Sequence, residues 1–229
     1  MRAFGLALAI TVGTLQDLAA QDVAARLDGR VPASVVRAVA RIAQDAETRG
    51  LPVEPLIQKA IEGGAKGVPA DRVIWAVRAL AVRLDESRSA LREAGIPAPS
   101  HEALESGADA INAGLDQRHV RELGLVSRPP YDPAIMLRVA ATLTALGVTP
   151  QRGVRLMENM MRAGRGPNDL MDLPNEVQVD MARGATADQA AEALETGDRA
   201  AGPQGQHGQD NQEGHQDQQG QQHPSPHKP

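Results

Sequence analysis

Residues 50–80 read GLPVEPLIQKAIEGGAKGVPADRVIWAVRAL, and this segment contains two Gly-apolar-Pro triplets, Gly50-Leu51-Pro52 and Gly67-Val68-Pro69. A glycine just past a helix adopts the left-handed conformation that lets the last helical carbonyls find donors, and the apolar residue after it packs back on the closing turn. Proline then suits the first turn of the next helix, where its missing N–H costs nothing. Each triplet therefore predicts the end of one helix and the start of another.

Triplets of this kind recur along the chain, with Pro at the third position in one further case and Asp or Thr there in the other three. Asp and Thr cap helices well, because their side-chain oxygens accept hydrogen bonds from the first free N–H groups. Between triplets, apolar residues follow helical spacing, as do Val73, Val77 and Leu84 in the longest predicted helix. No segment alternates with a period of two, so strands are not expected. The triplets occupy residues 50–52, 67–69, 95–97, 114–116, 147–149 and 184–186.

These junctions predict an all-α fold, either an irregular helical bundle or a short helix-pair repeat array, with a disordered C-terminal tail. Both arrangements stay open, because the intervals from Gly50 to Gly95 and from Gly95 to Gly147 suit helix-pair repeats but differ, at 45 and 52 residues. We expect a linker over residues 21–31 and the helical domain over residues 32–200.

The N-terminus has the features of a signal peptide. Met1 and Arg2 supply a positive charge, residues 3–12 are apolar, and Leu18-Ala19-Ala20 ends in small residues. Residues 1–20 are therefore interpreted as a signal peptide for export to a periplasm or to the outside, the alternative being an N-terminal helix of the domain. The apolar segment is shorter than the roughly 20 residues that a transmembrane helix needs, and no later segment is longer, so the mature chain is expected to have no membrane span.

Composition excludes several classes of function. The chain has no cysteine, which removes disulfides, thiolate metal sites and cysteine nucleophiles. Its net charge of −5 provides no basic surface for phosphates. Outside the leader only Trp75 and Tyr131 are aromatic, so bases have almost no platform on which to stack and the core must be aliphatic. Nucleic acid is therefore not an expected partner.

Two groups of residues are candidate metal ligands. Residues 201–229 are rich in Gln, His and Gly and too poor in aliphatic side chains to order themselves. Their histidines suit loose binding of Zn, Ni or Cu, although a hydrophilic linker or solubilising tail is the favoured interpretation. Thioethers on one helical face suit Cu(I), although methionine also fills gaps in an aliphatic core. The candidates are His207, His215, His223, His227, Met157, Met160 and Met161.

No group of residues has a catalytic signature. His119 lies among Asp116 and Glu122, and His101 precedes Glu105 by one helical turn. Capping by Asp116, and an Arg118–Glu122 pair on a solvated face, explain the first cluster. No serine lies in a nucleophile elbow, and no phosphate-binding or dinucleotide-binding loop is present, so no cofactor is predicted. The serines of residues 32–200 are Ser34, Ser87, Ser89, Ser100, Ser106 and Ser127.

Residues 50–80, together with SGADAINAGL at 106–115 and VQVDMARGATADQAAEAL at 177–194, carry a family resemblance. They resemble an uncharacterised family of exported bacterial α-helical proteins with GLPxxPLxxKAxEGxxKGxP-type segments, over roughly residues 40–194. The resemblance implies an exported helical domain. It implies no activity, so it assigns no functional residue.

The sequence favours a non-enzymatic, extracytoplasmic helical interaction or scaffold protein whose grooves hold a protein or peptide. The alternative is an envelope protein that handles Cu, Zn or Ni through its His-rich tail or Met-rich helix. An enzyme with an unrecognised site is the third hypothesis.

We predict that the mature protein begins at Gln21, because the apolar segment is followed there by small residues. Mass spectrometry of the protein exported from a native-like host measures the N-terminus directly. An intact Met1 in the envelope fraction would show that the segment is not removed.

Overall fold

In the computed structural model the backbone is described for residues 14–197 and the side chains for residues 21–197. Within this part of the chain all regular structure is helical, which confirms the all-α prediction. The predicted tail lies outside the described residues. The helices are α1 Thr14–Leu27, α2 Ala33–Thr48, α3 Glu54–Ala65, α4 Ala70–Glu93, α5 His101–Ala113, α6 Gln117–Val126, α7 Pro133–Ala145, α8 Pro150–Arg162, α9 Pro167–Ala182 and α10 Ala187–Thr196.

The glycines of all six triplets have a positive φ, between 64° and 120°. At Gly67 the glycine N–H donates to the Gly64 carbonyl at 3.0 Å, and the Val68 N–H donates to the Gly63 carbonyl at 2.9 Å. This pair of bonds satisfies carbonyls that the helix itself leaves free. The same pair closes the other five helices, so the predicted helix ends are confirmed. A seventh end, at Gly164, has the same bonds with polar Arg165 in place of the apolar residue.

The helix starts agree with the prediction where a side chain caps the helix, and differ at the prolines. Asp116 and Thr186 are N-caps that accept from the backbone N–H three residues later. By contrast, Pro69 is itself the N-cap residue of α4, and Pro52 and Pro97 lie before α3 and α5. The expectation that these prolines open the first turn is wrong. In α5 the reason is Ser100, whose hydroxyl accepts from Ala103 N–H at 3.1 Å and sets a later start.

The helices pack mainly on their near neighbours in the chain. Each helix pair in extended contact consists of consecutive helices or of helices separated by one other. The even-numbered helices form a row in which α2 contacts α4, α4 contacts α6, α6 contacts α8 and α8 contacts α10. The 24-residue α4 is the longest helix and contacts α2, α3, α5 and α6, so it links the N-terminal and central helices.

Small residues bring some of these helices close together. A Cβ atom on Gly107 of α5 would lie 2.9 Å from the Cβ of Ser87 on α4, closer than such atoms approach. Likewise, a Cβ on Gly124 of α6 would lie 2.8 Å from the Cβ of Ala94 at the end of α4. The core between these contacts is aliphatic, as expected from the composition.

Residues 21–31, expected as a linker, mostly belong to a helix. They contain the second half of α1, in which Val23 and Leu27 are buried against the core. The apolar spacing of four between these two residues stabilises a helix rather than an extended linker. The cleavage position predicted before Gln21 lies inside α1, and both buried residues follow it.

None of the helices in residues 14–197 is both long enough and apolar enough to cross a bilayer.

We expect Gly67→Val to lower the free energy of unfolding by about 1–2 kcal/mol, because an L side chain is strained in the left-handed region. No atom would contact the added Cβ, so backbone strain alone accounts for the loss. Gly67→Asn is the control, since Asn tolerates positive φ and should lose less. Urea denaturation measures both. Equal stability of the Val and Asn variants would contradict the role of the glycine.

Candidate functional site

A cleft of about 470 Å³ lies between α2 and α4. This volume is within the range of roughly 300–1,000 Å³ that is usual for ligand sites. Four of its lining residues are apolar and four are charged, and several of the charged ones are exposed, so the cleft opens to solvent. The lining residues are Ala38, Arg41, Ile42, Asp45, Arg49, Arg78, Ala81 and Val82.

The floor of the cleft follows from the amphipathic faces of two helices. On α2, Ala38 and Ile42 are one turn apart, and on α4, Ala81 and Val82 face them across the cleft. Ala38 and Ala81 are buried, which leaves a shallow apolar floor because alanine fills little space. Val82 is 54% exposed, although its side chain is aliphatic. The floor therefore presents apolar surface to solvent.

One end of the cleft is held by ion pairs. Arg49 lies 2.7 Å from Asp45 and 3.3 Å from Asp85, which joins the end of α2 to α4. Arg88 also contacts Asp85 and donates to the carbonyl oxygen of Arg49. These groups neutralise one another and leave this end of the cleft without a strong net charge.

The other two arginines of the cleft have no such partner. Arg41 donates from Nε to the Arg37 carbonyl at 3.3 Å, a neutral acceptor. Within residues 21–197, neither Arg41 nor Arg78 forms an ion pair. Both are exposed, one on each wall. In a chain with a net charge of −5, this part of the cleft is locally cationic.

Trp75, the sole tryptophan of the chain, lies on α4 near the cleft and is 71% exposed. It precedes Arg78 by three residues and Val82 by seven, so the three share one face of the helix. Sequence reasoning did not single it out. The signal was present, because Trp75 lies outside the stripe of Val73, Val77 and Leu84 that faces the core.

A second cleft, of about 200 Å³, lies among α1, α2 and α3. Arg26 of α1 donates to Glu54 of α3 at 2.7 Å, and Gln58 donates to the same carboxylate oxygen. The hydrogen bond from Arg26, followed by that from Gln58, lowers the pKa of Glu54 to about 2. The pair connects α1 to α3, while the carboxylates of Asp22 and Glu47 in the same lining form no ion pair within residues 21–197.

The candidate methionines do not gather at one surface. Met157 is fully buried in the core, and Met160 and Met161 are partly buried against it. This arrangement fits the interpretation that methionine fills gaps in an aliphatic core. The candidate histidines of the tail, His207, His215, His223 and His227, lie outside the described residues. Inside those residues, no group of three or more His, Asp or Glu side chains is placed to hold a metal ion.

His119 belongs to a helix cap. Its backbone N–H donates to Asp116 Oδ1 at 2.9 Å, and this bond lowers the pKa of the Asp116 carboxyl. Its Nδ1 lies 2.7 Å from the same oxygen and 3.3 Å from the Asp116 backbone nitrogen, so it either donates to the first or accepts from the second. The predicted Arg118–Glu122 pair is wrong. Arg118 instead lies 3.8 Å from Asp116, because the cap holds that carboxylate at the start of the helix.

His101 and Glu105 line neither of the two clefts. His101 is exposed, whereas Glu105 is partly buried, and burial raises the pKa of its carboxyl. Among the serines, Ser100 caps α5 and Ser127 donates to the Leu123 carbonyl at 2.7 Å. Ser87 is buried against Gly107 and has no hydrogen-bond partner on its hydroxyl.

Comparison with protein-family models, curated proteins and solved structures finds no match to this chain. The resemblance to an exported helical family therefore stays a prediction.

We expect Glu54→Gln to destabilise the protein at neutral pH by less than about 1 kcal/mol, because the ion pair is largely exposed. The folded-state pKa of Glu54 lies below its ordinary value, so this stabilisation is present above pH 4.5 and is lost as the pH falls towards 2. Urea denaturation across that range measures it.

Hydrogen exchange of residues 21–27 should also quicken in Glu54→Gln, since α1 loses a contact to α3. Glu62→Gln is the control, because Glu62 forms its ion pairs with Lys59 and Lys66 near its own position and none with α1. Equal exchange of α1 in the two variants would contradict the anchoring role of Glu54.

Proposed function

We propose that this protein is a non-enzymatic helical scaffold, exported from the cytoplasm, that binds another protein through the α2–α4 cleft. The observation that carries the proposal is the exposure of Trp75 beside a cleft with an apolar floor and unpaired arginines. Trp and Arg are the residues on which protein interfaces most often depend. Burial of Trp75 would stabilise the fold, so its exposure to solvent is better explained by a role in binding.

The packing of the helices also supports a scaffold. Helices that contact only near neighbours in the chain are typical of helix-pair repeat arrays, which present extended surfaces to their partners. The proposal therefore favours the repeat array over the irregular bundle. In this view α2 and α4, two helices of the even-numbered row, provide the binding surface.

The cleft favours binding over catalysis. Its charged groups are three arginines and one aspartate, and that aspartate is paired with Arg49. General acid–base or nucleophilic catalysis needs a group that can exchange a proton or attack near neutral pH. The cleft contains no histidine, serine or free carboxylate among its lining residues.

A photo-crosslinking amino acid at position 82 tests the proposal in the native host. We expect it to form a discrete adduct with a second protein, identified by mass spectrometry, because Val82 lies at the cleft. The matched control is position 179, since Val179 is an equally exposed valine (50%) on α9, away from the cleft. The same adducts from both positions, or none from position 82, would refute the proposal.

A further inference from the structure

We propose that the segment bound in the α2–α4 cleft is an acidic amphipathic helix of a partner protein. This inference rests on the proposed function and adds the chemistry of the partner. It follows from three features of the cleft: its charge, its floor and the lack of any strand edge beside it.

The charge of the cleft favours an acidic partner. Arg41 and Arg78 stand on opposite walls, each without a carboxylate partner in the described part of the chain. Arg37, one helical turn before Arg41 on α2, is also exposed. Carboxylates on both flanks of a bound segment would meet a guanidinium on each side, and such complementarity sets the partner and its orientation.

The floor of the cleft favours an apolar face on the same segment. Ala38, Ile42, Ala81 and Val82 offer no hydrogen-bond donor or acceptor in their side chains. Aliphatic side chains of the partner would bury this surface, together with one face of Trp75. An acidic segment without apolar residues would leave the apolar floor exposed to water. The partner therefore needs apolar residues as well as acidic ones.

The bound segment is inferred to be a helix, because a helix satisfies its own backbone hydrogen bonds. One common way for an extended peptide to bind is to add a strand to a sheet edge, and residues 14–197 contain no strand to which one could be added. A groove between two helices instead takes an amphipathic helix through residues spaced three and four apart. Nucleic acid fits less well, since the cleft holds few cations and its floor is apolar.

The probe is a tryptophan-free peptide of about 18 residues, roughly five helical turns, with leucines on one face and glutamates on the other. A second peptide, used for comparison, has lysine in place of each glutamate. Fluorescence anisotropy of the labelled peptides measures affinity for the full-length protein. The emission of Trp75, the sole tryptophan, reports whether the peptide covers this site.

We expect the acidic peptide to bind and to shift the Trp75 emission to shorter wavelength, and the lysine peptide to bind at least about tenfold more weakly. The Arg41→Glu/Arg78→Glu double variant should bind the acidic peptide about tenfold or more weakly than wild type does, and should bind the lysine peptide more tightly than the acidic one. Arg121→Glu is the control, because Arg121 is an exposed arginine of α6 outside the cleft. The affinity of the Arg121→Glu variant for the acidic peptide should stay within about twofold of the wild-type value at moderate salt.

Several results would overturn the inference. These are equal binding of the two peptides, binding of neither, or an equal loss in Arg121→Glu and the double variant. Binding to phosphatidylglycerol vesicles that requires Arg41 and Arg78 would assign the cleft to a membrane surface. Sedimentation that shows a dimer lost in Val82→Glu would assign it to a second copy of the chain. Should the peptides fail while the crosslink from position 82 persists, the proposed function stands and only the acidic helix is wrong.

Discussion

Each helix end at the six triplets is closed by two backbone hydrogen bonds that require a residue with positive φ. A glycine there leaves the chain free to turn sharply, and the residue after it packs on the helix just completed. The next helix therefore starts beside the previous one, and contacts between near neighbours follow. Without these glycines the short helices would lose both their ends and their directions, which is why the α2–α4 pairing depends on them.

Packing in this fold relies on close approach rather than on large side chains. With almost no aromatic residue available, Ser87 against Gly107 and Ala94 against Gly124 bring α4 near to α5 and α6. Trp75, by contrast, does not take part in this packing and is 71% exposed. The same helix thus has two faces with opposite uses, one fitted closely to its neighbours and one left open.

The charged groups of the α2–α4 cleft also fall into two sets, one paired and one unpaired. Arg49 is neutralised by Asp45 and Asp85 and thereby links α2 with α4. Arg41 and Arg78 remain unpaired in the described residues, on the walls beside the apolar floor. One group of charges therefore joins the two helices, and the other is available to a partner. In the cleft among α1, α2 and α3, Arg26 and Glu54 pair with each other, and among the described residues the unpaired charged groups there are instead the carboxylates of Asp22 and Glu47.

The sequence by itself determined the all-α fold, the glycine-closed helix ends and the caps at Asp116 and Thr186, because these depend on interactions within about five residues. It failed where longer-range contacts decide, as for residues 21–27, which are helical because Val23 and Leu27 find a core to enter. The α2–α4 cleft could not be predicted from the sequence for the same reason. Which arginines stay unpaired, and which face of α4 stays exposed around Trp75, depends on helices brought together only by the tertiary structure.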